Sequence, residues 1–428
     1  MFRFLVLNYL RLGARIKLAQ LGCKVVAVGG ASGKTSTATA IVAALQTRYR
    51  VRNGAGKNSE SGVPLGILDI SMTSYSLWGW LKVCLLVPLR LIFDWREVDI
   101  FVAEYGIDKP GDMDYLLSIA TPDVALLTNI AIEHTAFFEQ EEGDSKEELL
   151  ERIAQEELKL LRAVPEDGVI IAYSDDKKIT HILDELDTTI LYAGKSEQND
   201  YQLTTYKPTQ EDTTVEIYHD GITYPSVLSL PITEASASSI LLAVATAHEL
   251  GVPIQESFKA IDAVWQVPPG RGKVFRGKKE TLLIDSSYNA TPIAMHDALH
   301  FLDSLSNKRR RVAILGDMRE LGSLTGYVHE ELVEPIKQYT DMILVVGPAM
   351  NEYLVPKLEK EDISFLAFAS VEELKKSLLE KIQPKDVVLI KGSQNTLFLE
   401  QVTEMLLQDE KQVKMLCRRG EYWDKERA

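Results

Sequence analysis

Residues 29–36 read Gly-Gly-Ala-Ser-Gly-Lys-Thr-Ser, between a β-branched apolar run (residues 24–29) and a segment of helical spacing (residues 34–46). A strand, a glycine turn and a helix in that order aim backbone N–H groups at one point. Glycine lets an anion approach closely, and the helix N-terminus favours negative charge. Lys34 is then set to reach the β- and γ-phosphates of a nucleoside triphosphate, and the Thr35 hydroxyl to ligate Mg2+. The full Walker pattern has glycine five positions before Gly33, where this chain has Val28, so the loop is a shortened variant. Gly30, Ala31, Ser32, Gly33, Lys34, Thr35 and Ser36 are the candidate phosphate-binding residues.

The same alternation continues. Residues 98–104, 123–129 and 168–173 read as strands, and 144–161 and 234–250 as helices. Strands alternating with helices predict a mostly parallel sheet with ligands at its carboxyl ends. Short polar–apolar alternation over residues 201–228 predicts an antiparallel patch at one sheet edge. The stretch Trp265-Gln-Val-Pro-Pro-Gly-Arg-Gly272 can continue neither a helix nor an interior strand. Beyond it a second series of strands is expected at 281–285, 311–315, 342–346 and 386–390. The fold class is α/β, with a P-loop ATPase domain over 24–265 followed by a Rossmann-like α/β domain over 266–428.

The 428 residues carry 47 Lys and Arg against 62 Asp and Glu, a formal charge of −15, which excludes a broad nucleic-acid-binding surface. Cys23, Cys84 and Cys417 are too scattered for a disulfide framework or a metal cluster, as in a reduced cytoplasmic protein. Residues 1–23 read as a basic amphipathic helix, and an apolar insertion over 75–95 contains the run 77–93. Neither is a good membrane span, the first being interrupted by Arg11 and Arg15 and the second short and charged. The bland reading of 77–93 is an extra packed helix. The sharper one joins it to residues 1–23 as a patch lying on the inner face of a membrane.

Eight motifs in order resemble the Mur ligase family, the ATP-dependent amide-bond-forming enzymes of cell-wall precursor synthesis. They are Gly29–Ser36; Asn58-Ser-Glu-Ser-Gly-Val-Pro64; Glu104-Tyr-Gly106; Thr128-Asn-Ile130 with His134; Arg271; Asp285-Ser-Ser-Tyr-Asn-Ala-Thr-Pro292; Leu315-Gly-Asp-Met-Arg-Glu-Leu-Gly322 with His329; and Lys391-Gly-Ser393. The sixth and seventh point to the branch that adds D-alanyl-D-alanine to a muramoyl peptide. The resemblance implies ATP and Mg2+, a carboxylate activated as an acyl phosphate, and an amine that displaces phosphate. Catalytic roles then fall to Lys34, Glu104, His134 and Glu157, with Thr35, Glu104 and His134 on metal. Asn129, Arg271, Asp285, Tyr288 and Asn289 join the phosphate loop as nucleotide contacts. Asn58, Glu60 and Lys391 would meet substrate. A monomer is favoured.

The chain also departs from the family pattern. Only about 23 residues precede the first strand, so a domain gripping a UDP-sugar is not expected. Glu157 stands where the family has a carbamylated lysine, and Ala235-Ser-Ala-Ser-Ser239 replaces a His-Asn-x-x-Asn motif. Two alternatives therefore stay open beside the D-alanyl-D-alanine ligase: the same chemistry on a different peptide or lipid-linked acceptor, and a nucleotide-binding regulatory homologue.

Overall fold

The computed structural model describes residues 2–72, 76–140, 144–183, 186, 188–393 and 397–426. Segment bounds placed above at residues 1, 75 and 428 lie outside them. Among the described residues, nine strands form a first sheet: β1 (Lys24–Gly29), β2 (Val51–Asn53), β3 (Ile100–Glu104), β4 (Val124–Leu127), β5 (Val169–Tyr173), β6 (Thr189–Gly194), β7 (Tyr201–Pro208), β8 (Thr213–His219) and β9 (Ile222–Leu228). Their order is β2-β3-β1-β4-β5-β6-β7-β8-β9. The strands from β2 to β7 pair in parallel, while β7–β8–β9 is the antiparallel edge that the 201–228 alternation predicts.

Period-two patterning explains how this sheet is covered. Val26 and Val28 of β1 face a cluster built from α2 (Lys34–Leu45) and two later helices, while Val25 and Ala27 face the opposite cluster. Both sides being covered, β1 is buried at every position but its first. Between α2 and the helices that pack beside it the chain supplies α3 (Gly62–Ile67), α4 (Leu77–Phe93), α5 (Asp112–Leu117), α6 (Lys146–Arg162) and α7 (Lys177–Leu183), then α8 (Glu234–Glu249) and α9 (Ile254–Val264). A capping box starts α6: Ser145 Oγ accepts from Glu148 N–H, and the Glu148 carboxylate accepts from Ser145 N–H.

A second sheet follows residues 265–272. It comprises β10 (Lys273–Arg276), β11 (Leu282–Ser286), β12 (Arg311–Gly316), β13 (Met342–Val346), β14 (Phe365–Phe368) and β15 (Val387–Lys391), in the order β10-β11-β15-β12-β13-β14. Among its described strands, only the β10–β11 pair is antiparallel. The helix α10 (Pro292–Ser306) begins with Thr291 as N-cap, its Oγ1 accepting from Ala294 N–H, and packs across this sheet.

The N-terminal segment is α1 (Phe2–Leu21), which lies beside α4 in the same direction. Tyr9 Oη donates to Cys84 O (3.0 Å) and Gln20 Nε2 to Leu91 O (3.3 Å). At Gly13 a Cβ would lie 2.7 Å from Val87 Cγ1, so the contact requires glycine. Val6, Leu10, Val83 and Val87 close a small core over α3. Beneath it lies a buried charge cluster: Lys17 Nζ is 3.5 Å from Asp94 Oδ2, which accepts from Arg52 (2.9 Å), while Asp94 Oδ1 accepts from Arg96 (2.7 Å). No described helix is long and apolar enough to cross a membrane.

Burial would push the Asp94 carboxyl up, yet the hydrogen bonds from Arg96 and Arg52 and the charge of Lys17 hold it well below the carboxylate range. Its contribution to stability is therefore complete above the unfolded value of ~3.9 and is lost as pH falls through the folded one. Asp94→Asn strands Lys17 and Arg52 in the core and should cost about 3 kcal/mol, measured by urea unfolding at pH 7. The difference from wild type should shrink on acidification below pH ~4.

Candidate active site

The parallel register sets the site. Val28 of β1 pairs with Glu104 at the end of β3, and Gly29 with Leu127 at the end of β4, so three strand tips converge where α2 begins. The turn between β1 and α2 is tight. Gly30 has φ 106°, and a Cβ there would lie 2.5 Å from Thr128 Oγ1 and 2.8 Å from Asn129 O. Ala31 N–H donates to Asn129 O (2.9 Å) and Ser32 N–H to Asn129 Oδ1 (3.0 Å). Asn129 thus holds the loop, its side chain spent on Ser32. The amides left for phosphate are those of the first turn of α2, Lys34, Thr35 and Ser36, with Gly33 before them, because a helix cannot satisfy them internally.

Glu104 is held on three sides. Its Oε1 accepts from Thr35 Oγ1 (3.0 Å) and its Oε2 from Gly56 N–H (2.7 Å), with Asn58 Nδ2 at 3.4 Å. A hydroxyl and a carboxylate so placed beside a phosphate cradle suit Mg2+, which takes one or two protein carboxylates and fills its octahedron with phosphate and water. Among the described residues no three His, Cys, Asp or Glu side chains are grouped to hold a metal by themselves. His134, at φ 53°, has Nδ1 2.6 Å from Glu320 Oε2 and Nε2 3.6 Å from Asp108 Oδ1. Glu320 belongs to the second sheet's side, so this pair bridges the two halves of the chain.

One cavity of about 320 Å3 collects most of the candidates. From the first sheet's side come Ala31, Ser32, Gly33, Lys34, Ser36, Asn58, Glu104, Asn129 and His134; from the second come Arg271, Tyr288, Asn289 and Lys391. Arg271 stacks 4.6 Å over the Tyr288 ring, and Arg418 lies 5.3 Å from its centroid. Lys391 closes β15 and donates to Asn289 O (3.0 Å). Burial pushes its ammonium down to about 8, despite the opposing charge of Asp297. Ser236 and Ser239, in the segment that departs from the family pattern, also line the cavity.

Five candidates are not in the cavity lining: Gly30, turned back within the loop, Thr35, whose hydroxyl lies on Glu104, and Asp285, Glu60 and Glu157. Asp285 is fully buried behind β11, where Oδ1 accepts from Ser287 Oγ (2.6 Å) and Thr403 Oγ1 (3.2 Å). It shapes the 286–289 turn and does not line the cavity. Glu60 lines a separate cavity with Arg3 and Trp80, and its carboxylate pairs with Arg3 at 2.8 Å. Glu157 is 1% exposed and sits behind the phosphate loop, its Oε2 accepting from Gly30 N–H (3.0 Å). This places it against the back of the loop, outside the lining of the cavity.

Sequence reading passed over several residues that the cavity contains. Glu133 stands 3.7 Å from Lys34 Nζ, and burial raises its carboxyl. Asp108 and Asp297 complete the acidic lining. Adjacency to His134 was a signal for Glu133; for Asp297, inside a helix with no motif around it, there was none, nor for Arg418, near the C-terminus, which stands outside the cavity lining beside Tyr288.

Glu157 titrates near neutrality, burial pushing its carboxyl up to about 7 against the pull of Lys34. Below that pH the carboxyl behind the loop is neutral; above it, an added negative charge opposes the phosphates. ATP affinity should therefore fall by about fivefold between pH 6 and 8 (roughly 1 kcal/mol) relative to Glu157→Gln, in which the amide oxygen still accepts from Gly30. Calorimetric titration of both proteins across that range checks this.

Comparison with known proteins accords with this geometry. The Mur ligase middle domain model matches residues 28–247, and the Mur ligase, glutamate ligase domain model matches residues 270–394. The chain is 26% identical over 403 residues to the UDP-N-acetylmuramoyl-tripeptide–D-alanyl-D-alanine ligase of Bacillus subtilis, covering 92% of this chain and 78% of that protein. It is 27% identical over 379 residues to the enzyme of the same name from Rickettsia prowazekii, covering 86% and 75%. Among solved structures, the MurF ligase of Thermotoga maritima in complex with ADP superposes with a TM-score of 0.76 at 26% identity, over 95% of this chain and 84% of that one. With one family model spanning more than half of its residues and a second covering most of the remainder, the chain belongs to the Mur ligase family.

Proposed function

We propose that the protein is an ATP-dependent carboxylate–amine ligase that forms a peptide bond through an acyl phosphate, adding D-alanyl-D-alanine to a muramoyl-peptide precursor of the cell wall. The observation that carries this reading is the single cavity in which the phosphate loop meets Arg271, Tyr288, Asn289 and Lys391 from the other sheet. A carboxylate is a poor electrophile, and both its phosphorylation and the later loss of phosphate gather negative charge. Lys34, whose Nζ donates to Gly30 O and Ala31 O (2.9 Å), and the first-turn amides of α2 would take the β- and γ-phosphates, and Thr35 and Glu104 would hold Mg2+. When bound, that ion neutralises charge on the transferring phosphoryl group. His134 and Asn58 border the same space and would meet the acyl phosphate, with Lys391 pairing the carboxylate or its phosphate from the opposite wall.

Arg271 stacked on Tyr288 forms a platform for the nucleotide on the second domain, so ATP is gripped from both sides. Contacts across the cleft, such as His134–Glu320, keep water from an intermediate it would hydrolyse. The attacking amine must arrive unprotonated, and Glu133 and Asp297 are the cavity carboxylates able to take its proton. The Leu77–Phe93 helix, with its outward apolar side chains, supports a place of work in the cytoplasm at the inner face of a membrane.

Phosphate release from ATP and Mg2+ should require both a muramoyl tripeptide and D-alanyl-D-alanine, with the extended peptide detected by mass spectrometry. Release without the amine, or binding without turnover, would overturn the reading. Lys34→Met should lower kcat by about 10^3-fold, by loss of charge stabilisation in the transition state. Lys391→Met should lower kcat/KM for the carboxylate substrate by more than 10-fold, while leaving ATP affinity within about threefold.

A further inference from the structure

The helices α1 and α4 are apolar on two faces each. One face of each packs inward, through Val6 and Leu10 on α1 and Val83 and Val87 on α4. The other face stays open. On α4, Trp78, Leu81 and Leu85 recur at helical spacing with exposures of 79%, 48% and 62%; on α1, Phe4, Leu12 and Ile16 do the same. Thirteen of the 22 large apolar side chains exposed among the described residues lie on these two helices or on Trp95 just after them, which is a patch and not scatter. A helix apolar all round is ordinarily buried, so this face calls for a partner.

Charge decides which partner. The two helices carry six cations (Arg3, Arg11, Arg15, Lys17, Lys82 and Arg90) and no acid, in a chain whose net charge is −15. Lys17 is spent inside on Asp94, but Arg15 and Lys82 stand exposed around the apolar stripes. A second copy of the chain would set these cations against their own kind, whereas acidic headgroups at an apolar boundary match both features at once. Neither helix is able to span, so the contact is with the surface.

We propose that the outward faces of α1 and α4 dock on an anionic phospholipid bilayer. The docking helices lie next to the reaction cleft. A cavity of about 360 Å3 opens between Arg3, Val6 and Leu7 of α1, Trp80 of α4 and the loop of Ser59, Glu60 and Ser61. Asn58, one residue before that loop, lines the ATP cavity. Glu60 is tied to α1 through Arg3 (2.8 Å) and approaches Lys109 (3.7 Å), so the loop separating the two cavities is braced from the membrane side. Resting on the ligase reading, this arrangement lets the enzyme receive its carboxylate substrate at the bilayer surface.

Removing α1 would expose Asp94 and unfold the core it closes, so the test uses point variants of the full chain. Sedimentation with phosphatidylcholine vesicles, with and without phosphatidylglycerol, should show binding to the mixed vesicles alone, with a blue shift of tryptophan emission from Trp78 and Trp95. Leu85→Glu should weaken binding by at least about tenfold. Arg15→Glu combined with Lys82→Glu should weaken it by about tenfold or more and remove most of its salt dependence. Both variants should keep the wild-type melting temperature and ligase turnover on soluble substrates. Failure of the wild type to bind mixed vesicles, binding indifferent to these substitutions, or self-association that Leu85→Glu abolishes in the absence of lipid would each overturn the proposal. Vesicle binding by a protein that ligates nothing would uphold the docking surface and refute the ligase reading instead.

Discussion

The reversal of the chain between β1 and α2 is the constraint on which the rest depends. Gly30 turns back at a left-handed φ with its amide on Glu157, and the backbone presses against Thr128 and Asn129 closely enough to exclude any side chain. The loop is therefore clamped from behind by a buried carboxyl and from the side by an amide. That clamping leaves the first-turn amides of α2 pointing into the cleft, already oriented, so little ordering remains when phosphate arrives. Parallel pairing of β1 with β3 and β4 then brings Glu104 and the His134 loop to the same tip without long connections.

A phosphate loop alone would serve a kinase or an ATPase as well. What directs this one towards ligation is the second sheet, whose carboxyl ends face the first across the cavity. Arg271 and Tyr288 form a stacked pair, Arg418 braces the turn behind it through Ser287 O, and Lys391 is driven by burial to a lowered pKa. These groups are idle unless the domains lie together. Substrate binding and water exclusion thereby become one event, which suits a reactive mixed anhydride.

The α1–α4 pair is joined to this core by a buried cluster of charge. The buried Lys17 and Arg52, and Arg96 from the surface, converge on one buried carboxylate, Asp94, directly after α4. Breaking such a cluster is far more costly than replacing it whole. The two helices are therefore fixed to the domain, and Arg3 of α1 pairs with Glu60 of the loop beside the cleft.

Local pattern determined much of this in the sequence alone. The glycine-rich loop, the central strands of both sheets and the helix at 77–93 were legible because each depends on short-range periodicity and turn chemistry, whereas β2, β6, β10 and β14 were not; Glu104 stands at the end of a legible strand and His134 just beyond another. Tertiary packing decided the rest. Asp285 and Glu60 carry the right residue types, yet one faces the core and the other a neighbouring cavity, since the direction of a side chain follows from what packs behind it. Glu157, which register marks as a support for metal, is buried with Oε2 on the Gly30 amide, a contact that only packing sets. Glu133, Asp297 and Arg418 gave weak signals or none, being distant in the chain from the phosphate loop or unmarked by any pattern. A one-dimensional pattern specifies which elements form, but which charged groups share a low-dielectric space depends on how two sheets meet, and that is set only when the whole chain has packed.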